Sequence, residues 1–202
     1  MIQIFGTWIG IAPVTSLDIQ AATQYVQTVE ETHAEGFDNG TVTVTQRLLD
    51  APEFSAVKSE LEQLTLDYVH LQGHRVHGVQ IGNSWGNTLK RNEPIQTHTH
   101  PNSYVSGVFY LTDGVPLNFH NPLQTEDLFM LRPLVEWQEH NEYTWQVLKV
   151  PIKAGYVVLF PSKLKHHVDK CDTDYRYSIA FNTMPIGAIG DSTKELSITG
   201  IE

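Results

Sequence analysis

Two histidines, His98 and His100, stand one residue apart in the stretch THTHPNSYVSGVFYL, where a polar turn leads into a run typical of a β-strand. Two imidazoles at this spacing can bind one metal ion if their side chains converge. The chain has ten histidines, and so short a motif also arises by chance. The pair alone leaves open a metal site or two polar residues on a turn.

Further candidates follow in GYVVLFPSKLKHHVDKCDTDYRYSIAFN, residues 155–182. His166 would add an imidazole from a distant segment, and three ligands on one side of a metal leave the other side open for substrate and oxygen. Alternation along a strand places Arg176, Ser178 and Asn182 on one face. Because a guanidinium binds a carboxylate through two parallel hydrogen bonds, an inward Arg176 beside Ser178 predicts a carboxylate pocket. The competing interpretation is that Arg176 faces solvent or pairs with an acid.

Composition limits the kind of site and partner. With 202 residues, 41% of them apolar, the chain can bury one core, and a single domain over 1–202 is expected. A net charge of −10 gives no sign of nucleic-acid binding, which depends on Lys and Arg. Cys171 is the only cysteine, so an intramolecular disulfide is impossible and a metal must be held by His or carboxylate side chains. The chain shows no targeting leader or bilayer-spanning run, which predicts a cytoplasmic protein with no membrane partner.

Helix-forming and strand-forming patterns divide the chain. Helical spacing predicts helices over 16–35 and 51–73, with a strand over 41–50 between them, whereas short strands broken by Gly, Pro and Asn fill the chain from 76 to 183. Helices followed by many strands predict a mainly β, α+β fold, a jelly roll supported by helices, with a sandwich of another topology as the alternative. The segment 123–143 is long for a connection and suits a lid, a peripheral helix or a hairpin.

These expectations divide the domain into three parts. Residues 1–75 would provide the strand and helical support, 76–183 the jelly-roll core and 184–202 a C-terminal tail.

The motifs HTHPNSYVSGVFYL, AGYVVLFPSKLKHHV and RYSIAFN together resemble the Fe(II)- and 2-oxoglutarate-dependent oxygenases, in particular a group found in bacteria and their phages. The resemblance covers about residues 76–183. It implies a double-stranded β-helix (the cupin-like jelly roll), with Fe(II) as the metal, 2-oxoglutarate as co-substrate and O2 as oxidant. A phage-encoded member would act in the host cytoplasm.

Site residues follow from the resemblance. His98 and His166 resemble the two histidine ligands, and Arg176 with Ser178 resembles the pair that binds the distal carboxylate of 2-oxoglutarate. Tyr110 lies where prolyl hydroxylases place a tyrosine that contacts the same carboxylate. The spacing H-x-V of the family selects His166 rather than His167. No side chain is predicted to act directly on the substrate.

His100 stands where most of the superfamily has Asp or Glu. Replacing that carboxylate by a neutral imidazole raises the charge of the metal core by one unit. Three interpretations follow. His100 is the third ligand of an all-histidine site, or it is not a ligand and water or a distant carboxylate binds the metal in its place, or catalysis has been lost.

Other side chains near the predicted site carry weaker signals. Alternation in IGNSWGNT places Trp85 and Asn87 on one face, and Asn87 is a candidate for contact with cofactor or substrate, while core packing is favoured for Trp85. Three more histidines, His74, His77 and His120, are expected to be surface or structural residues.

The predicted function is hydroxylation of an unidentified substrate with release of succinate and CO2. The alternatives are a three-histidine, cupin-like dioxygenase that does not use 2-oxoglutarate, and a non-catalytic jelly-roll interaction domain. The substrate could be a protein side chain, a nucleobase or a small molecule, and the acidic composition favours a neutral or basic one. An exposed sheet edge would permit a homodimer.

Overall fold

A computed structural model describes residues 6–33, 40–122, 145–189 and 196–200. In these ranges the helices are α1 (Ile19–Thr28) and α2 (Ser55–Leu71), and the 3-10 helices are Leu48–Asp50 and Pro52–Phe54. The strands there are β1 (Gly10–Pro13), β2 (Glu31–His33), β3 (Thr41–Thr43), β4 (Gly78–Lys90), β5 (Ile95–His98), β6 (Val105–Tyr110), β7 (Leu117–His120), β8 (Val147–Val150), β9 (Tyr156–Pro161), β10 (His166–Val168), β11 (Tyr175–Ile189) and β12 (Leu196–Ile198). Within the described part of the chain, no helix is long and apolar enough to cross a membrane.

The strands form two sheets. The major sheet has the order β1-β9-β6-β11-β4-β3-β2, with β12 also paired to β11, and the minor sheet has the order β5-β10-β7-β8. Neighbouring strands run antiparallel in both sheets. Sequence neighbours such as β9 and β10 lie in different sheets, as in a double-stranded β-helix. The predicted fold, a mainly β jelly roll with N-terminal helices, is confirmed.

Alternation along β11 separates two apolar clusters. Ile179 and Phe181 belong to a cluster between the major sheet and the helices, which includes Phe54, Val57 and Leu61. The intervening residues of β11 face a second cluster, which lies between the two sheets; its buried members are Leu89, Val108, Tyr110, Val115, Leu117, Phe119, Val150, Val158, Phe160, Leu164, Val168, Cys171 and Ala180. We call these two sides of the major sheet the helix-side face and the cavity face.

The first helix is shorter than its sequence pattern predicts. It begins after Asp18, whose carboxylate accepts hydrogen bonds from the backbone N–H groups of Gln20 and Ala21. The chain turns extended at Val29, and Glu31–His33 pairs with β3 instead of continuing the helix. The predicted end near residue 35 is therefore wrong, because β-branched residues and a pairing strand favour extended backbone there. Residues 34–39 lie outside the described ranges.

The strand predicted over 41–50 is also shorter than its pattern. Only Thr41–Thr43 of residues 41–50 is a strand, because the chain then folds under the sheet as the 3-10 helix Leu48–Asp50. The backbone N–H of Leu49 donates to Ser84 Oγ at 2.9 Å. The second helix agrees with its prediction from Ser55 onwards, and Gly73, at φ +81°, follows its end.

One predicted boundary of the domain falls inside a described strand. The strand β11 continues to Ile189, beyond the boundary at residue 183, and pairs there with β12. The segment 123–143 lies outside the described residues, so its predicted role stays a prediction, as does the division of the domain into three parts.

Candidate functional site

Three histidines converge on the cavity side of the minor sheet. His98 ends β5 and lies directly opposite His166 on the antiparallel neighbour β10, so their ring centroids are 4.2 Å apart. His100 lies in the turn after β5, where its backbone N–H donates to Ser162 O at 2.9 Å. One ring nitrogen from each histidine lies within 4.8 Å of the others. The structure thus brings together the three residues that the sequence nominated as metal ligands.

Backbone carbonyls orient two of the rings. His98 Nδ1 lies 2.8 Å from Gln96 O, and His166 Nδ1 lies 2.8 Å from Leu164 O. Because a carbonyl only accepts, each Nδ1 carries the proton and donates it, which places the lone pair of each ring on Nε2. His166 Nε2 lies 3.2 Å from His100 Nε2. These two ring nitrogens can therefore reach a shared cation.

Burial keeps these imidazoles neutral. It lowers the pKa of His166 to about 3 and the pKa of His100 to about 4, and the nearby His98 lowers both further. The pKa of His98 is also lowered, mainly by burial. Neutral imidazole is the form that binds zinc, copper, iron and nickel, so the cluster is in its metal-binding form near pH 7.

A buried guanidinium lies on the cavity face of β11. Arg176 is only 1% exposed, and no Asp or Glu among the described residues forms an ion pair with it. Its guanidinium carbon lies 5.1 Å from the centroid of the Tyr110 ring. Arg176 Nε and Tyr110 Oη are buried without a hydrogen-bond partner among the described residues. A buried cation without a counter-charge is costly, so this end of the site is suited to an anion.

Tyr110 supports the guanidinium as a neutral phenol. Burial raises the pKa of Tyr110 to about 12, although the neighbouring Arg176 acts in the opposite direction. Ser178, 1% exposed, faces the same side of β11 and pairs in register with Tyr110 on β6. Arg176 and Ser178 line the cavity; Tyr110, beside Ser178 on the neighbouring strand, is in contact with the guanidinium but is not among the lining residues.

One cavity of about 400 Å³ joins the imidazole and guanidinium ends. We call it the central cavity; its described lining residues are Gly40, Thr41, Val42, Gln46, Asn83, Trp85, Asn87, Leu89, Ile95, His98, Thr99, His100, Pro101, Val108, Leu117, His166, Val168, Arg176, Ser178, Ala180 and Asn182. Among these residues the only permanent charge is the guanidinium. The central cavity therefore favours an anionic or neutral ligand.

The predicted contact residue Asn87 does line the central cavity. Its Oδ1 accepts a hydrogen bond from Trp85 Nε1 at 3.1 Å. Trp85 also stacks on the ring of His100, with centroids 5.7 Å apart. The tryptophan thus packs one metal-ligand candidate and lines the cavity, beyond the core packing that its sequence pattern favoured.

The remaining histidines lie elsewhere. His167 points away from the cluster, because it alternates with His166 on β10, and its Nδ1 lies 3.0 Å from His120 Nε2. His74 contacts the hydroxyl of Tyr104, and the side chain of His77 packs beside Gly187. The structure therefore brings His166, and not His167, into the cluster.

Sequence reasoning gave no role to several residues of the cavity. Asn182 had a usable signal, since the alternation that placed Arg176 inward also places Asn182 inward. Gln46 and Asn83 had none, because Gln46 follows a short strand whose end the pattern did not mark and Asn83 lies near the β-bulge of the β4–β11 pair.

Comparisons with known proteins identify one matching family model and several similar folds. A protein-family model described as "Putative 2OG-Fe(II) oxygenase" matches residues 83–182. No curated protein matches the sequence. The chain is similar in structure to a Pseudomonas putida prolyl-4-hydroxylase, with 15% identity, a TM-score of 0.61, and coverage of 90% of this chain and 94% of that one.

Two further solved structures show the same fold. HygX from Streptomyces hygroscopicus, solved with nickel and 2-oxoglutarate bound, has 16% identity and a TM-score of 0.61, covering 89% of this chain and 83% of that one. The non-heme alpha ketoglutarate dependent epimerase SnoN from nogalamycin biosynthesis has 14% identity and a TM-score of 0.64, covering 96% and 91%. At these identities the structural matches establish the fold, while the matched segment 83–182 contains every candidate cavity ligand named above from the sequence.

Proposed function

Since the chain belongs to the 2OG-Fe(II) oxygenase family, a family of oxidoreductases, we propose that it uses Fe(II), 2-oxoglutarate and O2 to hydroxylate a substrate. The proposal depends on one observation: three neutral imidazoles and a buried guanidinium without a counter-charge face a single cavity. The chemistry requires a metal cation and a dicarboxylate. The imidazoles suit the cation, the guanidinium suits a carboxylate, and both line the same cavity.

The donor set fits the metal. We propose that His98, His100 and His166 hold Fe(II) through Nε2, because Nδ1 of the first and third rings is committed to backbone carbonyls. Because imidazole binds iron, zinc, copper and nickel alike, the ligands do not select the metal. The choice of iron comes from the family. His100 supplies the position that a carboxylate holds in most of the superfamily, which leaves the protein ligands without negative charge.

The guanidinium end fits the co-substrate. We propose that Arg176 and Ser178 bind the distal carboxylate of 2-oxoglutarate, with Tyr110, packed against the guanidinium, as the further predicted contact. A carboxylate there would accept a hydrogen bond from the buried Nε–H of Arg176 and would neutralise its isolated charge. Asn87, whose Oδ1 is engaged by Trp85, keeps its Nδ2 donors for the cofactor or the substrate.

The reaction balances with these components. When bound, Fe(II) lets O2 oxidise 2-oxoglutarate to succinate and CO2, with one oxygen atom entering succinate and the other entering the substrate as a hydroxyl group. The chain's own contribution is placement: Arg176 fixes one end of the co-substrate, and apolar walls at Leu89, Val108 and Leu117 keep water out and strengthen the charge interactions.

Succinate formation tests this function. Purified protein with Fe(II), 2-oxoglutarate and O2 should release succinate slowly even without its substrate, and Arg176→Met should release far less at the same 2-oxoglutarate concentration. Wild-type protein that binds Fe(II) but never forms succinate would overturn the proposal in favour of the three-histidine dioxygenase that does not use 2-oxoglutarate. The family match does not favour a non-catalytic domain.

Substrate and location stay predictions. The acidic composition predicted a neutral or basic substrate; because the described lining of the central cavity offers no carboxylate to pair with a basic group, we propose a neutral one. A cytoplasmic location and a homodimer are carried forward as proposals from the sequence.

A further inference from the structure

A second pair of histidines lies on the outer face of the minor sheet, away from the central cavity. His167 alternates with the inward His166 on β10, and His120 alternates with Phe119, which packs between the two sheets. His120 Nε2 lies 3.0 Å from His167 Nδ1 across the antiparallel strands β7 and β10. The two ring centroids are 5.0 Å apart, with the ring planes at 55°. We call His120 and His167 the outer pair.

The spacing of the outer pair suits a metal ion. Two imidazole nitrogens that both present lone pairs repel each other, so at 3.0 Å one of them carries a hydrogen atom that it donates to the other. A metal ion can take the place of this hydrogen, whose proton then moves to the other nitrogen of its ring. With metal–nitrogen bonds of about 2.0–2.1 Å, two imidazoles on a tetrahedral or square-planar ion place their nitrogens about 2.9–3.4 Å apart. The outer pair therefore already has the spacing of two ligands.

An acidic side chain lies beside the other nitrogen of His167. Asp169 Oδ1 lies 3.4 Å from His167 Nε2, and Asp169 Oδ2 lies 3.0 Å from Lys149 Nζ, an ion pair that holds the carboxylate in place. The negative charge favours the proton of His167 on Nε2, which leaves the lone pair on Nδ1, the nitrogen that faces His120. A carboxylate at this position is a usual partner of a metal-binding histidine.

Solvent can reach the outer pair. The side chain of His167 is 22% exposed, and His120 is half-buried. Thr97, exposed on the neighbouring strand β5, places its Oγ1 3.3 Å from His120 Nε2. An ion held by two imidazoles at this surface would complete its coordination with water. The outer pair should therefore bind metal more weakly than the three imidazoles of the central cavity.

We propose that the outer pair is a second metal site, which binds one Ni(II), Cu(II) or Zn(II) ion through His120 Nε2 and His167 Nδ1. Imidazole ligands favour these ions over Mg(II) and Ca(II), which prefer oxygen ligands, and over Fe(II), which lies lower in the order of affinities. The site shares no ligand with the proposed Fe(II) centre and lies on the other face of β10. A bound ion would link β7 to β10, the strand that carries His166.

Zinc stoichiometry tests the proposal. Equilibrium dialysis of wild-type protein against Zn(II), followed by metal analysis, should find two equivalents per chain, a tight one in the central cavity and a weaker one at the outer pair. His120→Gln and His167→Ala should each lose the weaker equivalent and keep the affinity of the tight one. Glutamine at position 120 keeps a polar amide beside His167 but is a poor zinc ligand. Two equivalents retained in both variants would overturn the proposal.

Two further histidine variants are the matched controls. His77→Ala removes a histidine that packs beside Gly187, and it should keep both equivalents. His98→Ala should lose the tight equivalent and keep the weaker one. A single equivalent in wild type that His120→Gln abolishes and His98→Ala does not would support the outer pair and overturn the proposed cavity centre. A single equivalent that only His98→Ala abolishes would overturn the outer pair and leave the cavity centre intact.

Nitrogen-15 NMR of histidine-labelled protein locates the second ion. The second equivalent of Zn(II) should shift the signals of His120 Nε2 and His167 Nδ1, after the first equivalent has shifted those of the cavity histidines. A second equivalent that leaves both rings of the outer pair unchanged would overturn the proposal, because the ion would then be bound elsewhere.

Discussion

The two faces of the major sheet use the same strand for different purposes. On β11 the helix-side face presents Ile179 and Phe181, both fully buried in the apolar cluster below the helices. The cavity face presents Arg176 and Ser178, which are also buried but polar. The comparison shows that burial alone does not identify a stabilising residue. Burying Ile179 and Phe181 stabilises the fold, whereas burying the guanidinium without a counter-charge destabilises it.

The largest expected change in stability comes from the helix-side face. Phe181→Ala should lower the free energy of unfolding by about 3–5 kcal/mol, because it removes a buried ring from a packed cluster. Chemical denaturation measures this loss. At temperatures where the variant stays folded, its affinity for 2-oxoglutarate with Zn(II) should match wild type, and Phe181→Leu should show the same pattern with a smaller loss. A collapse of 2-oxoglutarate binding in the folded variant would show that the two faces are not separable.

His166→Ala, on the minor sheet, should have the reverse effect of Phe181→Ala: metal affinity should fall while stability changes little. Loss of this imidazole should weaken Zn(II) binding by more than the roughly 100-fold expected for a residue that only supports a ligand. Thermal unfolding of the metal-free protein should change little, because burying the imidazole carries its own cost. Titration with a chelator competitor and melting curves in EDTA make the two measurements, and His167→Ala is the matched control that should leave Zn(II) affinity intact.

Arg176→Met sharpens the contrast within β11 itself. Removing the guanidinium should weaken 2-oxoglutarate binding about 100-fold, since two charge-assisted hydrogen bonds are lost. Stability without ligand should be unchanged or higher, because an apolar chain replaces an isolated buried charge. Calorimetric titration and denaturation test both parts. A variant that is both destabilised and fully able to bind 2-oxoglutarate would assign Arg176 a structural role instead.

The smallest effect is a pH dependence of the metal-free protein. Burial lowers the pKa of His100 to about 4 and that of His166 to about 3, from an ordinary value of 6.5. Below pH 6.5 the unfolded chain therefore binds more protons than the folded one, so stability falls as the pH drops towards 4 and is level above 6.5. The slope should be about 1.4 kcal/mol per pH unit for each histidine that gains a proton on unfolding. In His166→Ala the slope should be shallower, and an identical slope would contradict the buried neutral cluster.

The local features of this arrangement could be predicted from the sequence. Strand alternation alone placed Arg176 and Ser178 on one face, and the order of helices and strands predicted the jelly roll. The register that sets His98 opposite His166 could not be predicted from alternation, because it depends on which strands become neighbours across the minor sheet. The end of α1 was missed for a related reason, since the pairing of Glu31–His33 with β3 overrides a helical pattern.

The surroundings of the candidate ligands show a further limit. The inward direction of Asn182 followed from alternation, but its hydrogen bond with Ser106 joins two strands that only the folded chain makes neighbours. His100 is similar: its position after β5 was visible in the sequence, while the stacking of Trp85 on its ring was not.

Anaerobic titration of the protein with Fe(II) and 2-oxoglutarate tests the central claim most directly. A metal held by His98, His100 and His166, with 2-oxoglutarate bound to it and anchored at Arg176, should give a weak visible charge-transfer band. The band should disappear in His166→Ala and should require far more 2-oxoglutarate in Arg176→Met. A wild-type protein without the band, or an Arg176→Met variant that forms it at the wild-type concentration, would contradict the account.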